Sequence, residues 1–332
     1  MRHWSRQILT HHPVVGWLYV PGLRARIPHE AGAYWVNTND TGFRSEHEFS
    51  KSRSAGLGRL AVLGDSMTAG DGVSNGQRYT DRLHHLLADT EVYNFAVSGT
   101  GTGQQLLIHE DIAVDFDADA FLFAPALLNI ERNGSGEAPF LDRASGEVRF
   151  YQRPYFALAG NGLERHNIPV PKGFRPAPPS GGAPARKPNW ISNTLKPAVR
   201  GLLGRHPFAQ YLSGQDDAWR LMAAILDAFI DSVNGKPVIL APLPSWHYIE
   251  LGLRPVYLGR FREIADRHDN VTLIDVLPGF RALSGASRRA CRFETDLHFT
   301  PLGHEVVAEQ LAAAMPALGS VSGPAVTNGS PS

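Results

Sequence analysis

Cysteine is almost missing: of 332 residues, Cys291 alone carries a thiol. That excludes an internal disulfide and any cysteine-rich metal site. Its ordinary role is that of a small, inert side chain near the core or surface. Apolar runs long enough to span a bilayer are missing too. The amino terminus, MRHWSRQILTHHPVVGWLYVPG, has early positive charge. It lacks an unbroken apolar stretch and a small-residue cleavage site, so no signal peptide is recognised and a cytoplasmic location is expected. Nor is there an excess of one charge, since 32 Lys and Arg face 32 Asp and Glu. Without surplus cations to displace counterions, nucleic acid is not an expected partner. No internal repeat is visible.

What is present suits a globular enzyme, with 43% apolar and 19% charged residues. A chain of this length buries about three quarters of its unfolded surface and needs no disulfide or metal staple. Residues 1–57 read as an irregular, β-rich extension that packs on the core. Short strands are expected in GWLYVPGLRARIP and GAYWVNTNDTGFRS, with a turn at Asn39-Asp40-Thr41-Gly42. From residue 59 short apolar runs alternate with helical stretches. The runs lie at 59–64, 92–97, 120–127, 237–243 and 271–276, and they are continuously apolar, as strands buried on both faces are.

Helices are expected over about 76–89, 103–115, 256–267 and 301–315. The clearest is DDAWRLMAAILDAFIDSV, where Trp219, Met222, Leu226, Phe229 and Val233 recur at spacings of three and four. Thr300 and Pro301 form a plausible N-cap and first helical residue. Strand, helix, strand, repeated, predicts a parallel sheet with helices on both faces and ligands beyond the carboxyl ends of its strands. The main domain is thus 58–316. A Pro- and Gly-rich insertion, 131–212, interrupts it as a lid, wall or flap. Residues 317–332 read as a disordered tail.

The first apolar run ends abruptly in Gly64-Asp65-Ser66. Ser66 is then either a nucleophile at the edge of a sheet or, with Asp65, a cap for the next helix. A serine needs a base and a group to orient that base. ETDLHFTPLGHE supplies Asp296 and His298, two apart in extended chain and so on one side of it. The bland alternative is a solvated pair just before a helix. His304, within the helix, is a weaker candidate. Negative charge on an acyl carbonyl needs donors. Gly99, after the second strand, and Asn129, after the third, offer an N–H and an amide beside the Ser66 N–H. A glycine or asparagine there otherwise serves a turn or the backbone.

Taken together, GDS at Ser66, Gly99, Asn129 and Asp296-x-His298 followed by Gly303 resemble the GDSL or SGNH hydrolase family, in that family's block order. The resemblance covers about 59–129 and 236–315. It implies a three-layer α/β/α sandwich with a five-stranded parallel sheet in flavodoxin-like order. It also implies Ser66 as nucleophile, His298 as base, Asp296 as its orienter, and an oxyanion hole of Ser66, Gly99 and Asn129. The family's third block commonly reads Gly-x-Asn-Asp; here it is LLNI, with Ile130 after Asn129, and Asn133 is the fallback donor.

Asp65, Trp246 and His247 are further candidates for substrate contact, as is Asn133; Tyr248, Phe43 and Arg44 are weaker ones. SGTGTGQ faintly resembles a dinucleotide loop, but no acidic residue ends the next strand. The expected activity is hydrolysis of a small acyl ester, such as acetyl, with no metal and no organic cofactor; a carbohydrate as the alcohol is what the resemblance alone implies. An O-acyltransferase using the same triad, or a noncatalytic binding module, are the alternatives.

Overall fold

The computed structural model describes residues 8–141, 148–160, 162–176 and 206–315. The described residues begin with two antiparallel hairpins. β1 (Leu9–His12) pairs with β2 (Gly16–Tyr19), and β3 (Arg24–His29) with β4 (Gly32–Asn37). The expected turn follows, closed by the Gly42 N–H donating to Asn39 O at 3.1 Å.

The central sheet has five parallel strands. In chain order they are β5 (Gly58–Gly64), β6 (Thr90–Asn94), β7 (Ala120–Ala124), β13 (Val238–Leu240) and β14 (Val271–Leu273). Their spatial order is β14-β13-β7-β5-β6, so the first strand lies between the second and the third. Register is set by pairs such as Gly64 with Ala124 and Val62 with Asn94. Leu60, Val62, Leu63, Leu122 and Phe123 are wholly buried, as strands covered on both faces must be.

Two helical layers cover the sheet. One contains α2 (Tyr79–Leu86) and α9 (Pro301–Ala314), which pack on each other; the other contains α3 (Thr102–Asp111), α4 (Asp217–Ser232) and α6 (Tyr257–Ala265). The side chain of Asp216 caps α4 by accepting from the Ala218 and Trp219 N–H groups at 2.9 and 3.2 Å. Its apolar face then seats Phe229 against Phe123, with ring centroids 4.5 Å apart. The short helices α1 (Ser66–Ala69), α5 (Trp246–Ile249), α7 (Leu277–Ala282) and α8 (Gly285–Ala290) complete the set named here.

Within the inserted stretch, β8 (Glu137–Leu141), β9 (Val148–Gln152) and β12 (Phe174–Pro176) form a small antiparallel sheet. β10 (Tyr155–Ala159) and β11 (Gly162–His166) form a hairpin. The Pro-rich part of the expected insertion from 177 to 205, and the tail 317–332, lie outside the described residues. Among the described residues no helix is long and apolar enough to cross a membrane.

Candidate active site

β5 stops at Gly64 because the chain must turn at once into α1. Gly64 leaves room that Thr68 occupies: a Cβ there would collide with the Thr68 side chain. Asp65 caps α1, its Oδ1 accepting from the Met67 N–H at 3.0 Å. The Thr68 and Ala69 N–H groups both reach Asp65 O. Ser66 is the first residue of α1, 8% exposed. The two readings of Gly64-Asp65-Ser66 therefore divide between its residues: Asp65 caps, and Ser66 faces the site.

His298 Nε2 lies 2.8 Å from Ser66 Oγ, across 232 residues of chain. The other ring nitrogen, Nδ1, bonds to Asp296 Oδ1, and that oxygen also accepts from the His298 backbone N–H at 3.0 Å. Alcohol, imidazole and carboxylate form one chain. In the neutral ring, the form that can act as a base, Nδ1–H donates to the carboxylate, which leaves Nε2 to accept from the hydroxyl. Burial works against a charged imidazole, but the Asp296 carboxylate outweighs it and pushes the His298 pKa up to about 9; Asp71 and Asp65 add in the same direction. Burial likewise opposes charge on Asp296, but His298 and His29 hold its carboxyl well below the usual range.

The remaining pieces stand at the ends of the neighbouring strands. Gly99 lies after β6 with a φ of +80°, a conformation that favours glycine. Its loop is tied to Gly64, whose carbonyl accepts from the Val97 N–H at 3.4 Å. Asn129 follows β7 in a single 3₁₀ turn, Leu127–Glu131, and is fully buried. Its Oδ1 accepts from Arg132 Nη1 at 3.1 Å, while its Nδ2 has no hydrogen-bond partner. The same Arg132 nitrogen reaches Asp65 Oδ2 at 3.1 Å and Thr100 O at 2.8 Å. One guanidinium nitrogen thus ties together the loops that follow β5, β6 and β7. Reasoning from sequence missed Arg132; its spacing of three from Asn129 on one short turn was the available signal.

Asp71 was missed as well. It is buried behind the base and accepts from Ser98 Oγ at 2.5 Å; Tyr19 hydroxyl lies 2.7 Å from the same Ser98 oxygen. Burial pushes the Asp71 carboxyl up.

Several residues expected at the substrate are occupied by the protein itself. Asp65 is buried with both oxygens bonded. Asn133 Oδ1 accepts from the Gly103 N–H at 3.1 Å, bracing the start of α3. Trp246 packs on Phe299 and donates its indole N–H to Leu297 O at 2.5 Å, which supports the loop between Asp296 and His298. His247 turns to Ser245 Oγ at 3.1 Å, and burial lowers its pKa. Tyr248 meets His206 at 3.3 Å. Phe43 lies in an aromatic cluster with Phe49 and Phe95. Arg44 donates to the Ala69, Gly70 and Val73 carbonyls at 2.8, 2.6 and 2.8 Å, fastening the far end of α1. His304 is buried under α2, Cys291 is buried, and burial pushes that thiol up to about 11. In the glycine-rich loop Phe156 fills the space beside Gly103.

A cavity of about 290 Å³ is lined by Leu9, Trp17, Phe140, Tyr151 and Gln152 among others. Two of its lining side chains flank Gly99: a Cβ there would stand 3.3 Å from Phe140 Cζ and 3.5 Å from Trp17 Cζ2. No group of three His, Cys, Asp or Glu among the described residues is placed to hold a metal ion.

No family model and no curated protein matches the chain. Solved structures do. A lipolytic protein of the G-D-S-L family from Veillonella parvula is 12% identical, over 77% of this chain and 97% of that one, with a TM-score of 0.42. A lipase/acylhydrolase from Enterococcus faecalis is 13% identical over 77% and 94%, at 0.42. An acetylxylan esterase from Geobacillus stearothermophilus, solved as a catalytic mutant, is 14% identical over 80% and 95%, at 0.42. Likeness at that level assigns this chain no activity.

Proposed function

We propose that the protein is a serine esterase that releases a small acyl group, such as acetyl, from a hydroxyl. The observation that carries this reading is the 2.8 Å approach of Ser66 Oγ to His298 Nε2, with the opposite ring nitrogen on Asp296. A solvated pair before a helix would have no reason to meet a strand-end serine. Ser66 attacks the ester carbonyl as its proton passes to His298 Nε2, and the carbonyl oxygen becomes an oxyanion. The Ser66 and Gly99 N–H groups and Asn129 Nδ2 receive that charge. His298 then protonates the departing alcohol, leaving an acyl group on Ser66. Water gives a proton to the same nitrogen, attacks the acyl-enzyme and restores the serine. A carbohydrate as the alcohol follows only from the sequence resemblance.

The test is labelling and turnover together. Wild-type protein should hydrolyse an activated acetyl ester and take up a fluorophosphonate at Ser66. Ser66→Ala should stay folded, escape the label and lose about 10⁴-fold or more in kcat. A wild-type chain inert to both reagents, or a Ser66→Ala variant as active as its parent, would end this assignment.

A further inference from the structure

Asp296 has two carboxylate oxygens, and the catalytic histidine uses only Oδ1. Oδ2 faces His29 Nε2 at 3.1 Å. His29 ends β3, 267 residues earlier in the chain, and its side chain is 7% exposed. Its tautomer is set locally. The Ala31 N–H points at His29 Nδ1, 3.4 Å away, so Nδ1 accepts and Nε2 carries the hydrogen. Nε2 therefore donates to Asp296. The ring is held edge-on by Phe293, with centroids 4.3 Å apart, and by Tyr34 at 5.8 Å. The next residue, Glu30, accepts from the Thr295 N–H at 2.8 Å and from the Thr295 hydroxyl. The tip of the β3–β4 hairpin thus grips two successive residues of the loop that carries the base.

We propose that His29 is a positioning residue for the reaction: it holds the second oxygen of Asp296, so that the carboxylate cannot turn from the His298 ring and the imidazole stays aimed at Ser66. The terminal torsion of an aspartate is broad and soft. Contacts to one oxygen leave it free to swing, whereas a donor on each oxygen fixes it. Small displacements of a general base are costly, because proton transfer needs hydrogen-bond distance. The amino-terminal hairpin is, on this view, part of the catalytic apparatus. The role rests on the reading of Ser66 as nucleophile.

Two variants separate donation from packing. His29→Gln keeps a donor near the Nε2 position and loses the ring; His29→Phe keeps a ring against Phe293 and loses the donor. Each is measured for kcat and KM on an activated acetyl ester. The downfield proton resonance of His298 Nδ1–H is recorded on the same proteins without substrate. His29→Phe should lose about tenfold or more in kcat with KM nearly unchanged, and its resonance should broaden or move upfield. His29→Gln should recover most of both. If His29→Phe retains as much kcat as His29→Gln, or an unshifted resonance, the proposal is overturned. A wild-type chain inert toward esters would sink the esterase reading instead, and the resonance would still judge His29.

Discussion

At Asn129 the side-chain amide has two ends, and Arg132 decides which way round they lie. A guanidinium has hydrogens only, so the atom 3.1 Å from its Nη1 must be the oxygen. The nitrogen end is then left buried and unpartnered. An unmet buried donor costs about 1–3 kcal/mol, a cost that a substrate oxyanion would relieve when it forms. Asn129→Ala should therefore lower kcat by about 10²- to 10³-fold and leave KM and the far-ultraviolet circular dichroism nearly as in the parent. A kcat within twofold of the parent would remove Asn129 from the oxyanion hole. At Asn133, by contrast, both ends of the amide have partners: its oxygen accepts from the Gly103 N–H at 3.1 Å and its nitrogen donates to Thr102 Oγ1 at 3.4 Å.

At the scale of elements, the site is a meeting of strand ends. Ser66 follows the first strand of the sheet and Asn129 the third, and these neighbours flank the point where the strand order reverses, where open α/β sheets bind their ligands. The strands were readable because continuous apolar runs mark chain buried on both faces. The ends of those runs were not, since apolarity follows burial rather than pairing. The run 92–97 leaves its ladder at Asn94, yet Phe95, Ala96 and Val97 stay buried as they turn toward Gly99. The pairing of Asp296 with His298 was legible because a two-residue spacing is local. His29 was not, and Arg132 only through its spacing from Asn129, because Asp296, Asp65 and Thr100 are brought to them only by the fold. Gly303 shows how tightly one element is set. It lies in the first turn of α9, and a Cβ there would press on Cys291 O and stand 3.0 Å from Phe299 Cβ. Cys291 O also accepts from the Thr300 N–H at 2.8 Å, so relief must move the segment that carries His298. Gly303→Ala should cost about 1–3 kcal/mol of stability, seen as a lower Tm, and should reduce kcat as well. Parental Tm and kcat in that variant would show the helix has room to shift.

Across the whole molecule, the amino-terminal segment touches three of the loops on which the chemistry depends. Trp17 donates to Ser98 O at 2.9 Å, Arg44 holds carbonyls at the end of α1 and just after it, and His29 reaches Asp296. The central sheet and the hairpins should therefore unfold together, and acid should be one trigger. His304 sits in one helical layer, with Nδ1 accepting from the Tyr79 N–H at 3.2 Å; burial pushes its pKa down to about 3. His109 sits in the other layer, and burial pushes its pKa down to about 4. Unfolded, both would titrate near 6.5. Below pH 6.5 the unfolded chain binds protons that the folded one refuses, so stability falls as pH falls. Each histidine contributes a slope of about 1.4 kcal/mol per pH unit until its folded pKa is reached. His298 acts in a different window: its raised pKa gives stability that is present below 6.5 and lost as pH rises toward about 9. His304→Asn keeps an acceptor near the Nδ1 position and cannot be protonated there. Urea unfolding at pH 7 and pH 5 should find this variant less stable than its parent at pH 7, with a visibly shallower decline toward pH 5. The difference between the two declines isolates His304 from every other titrating group. Equal declines would mean that this imidazole already takes up its proton in the folded protein.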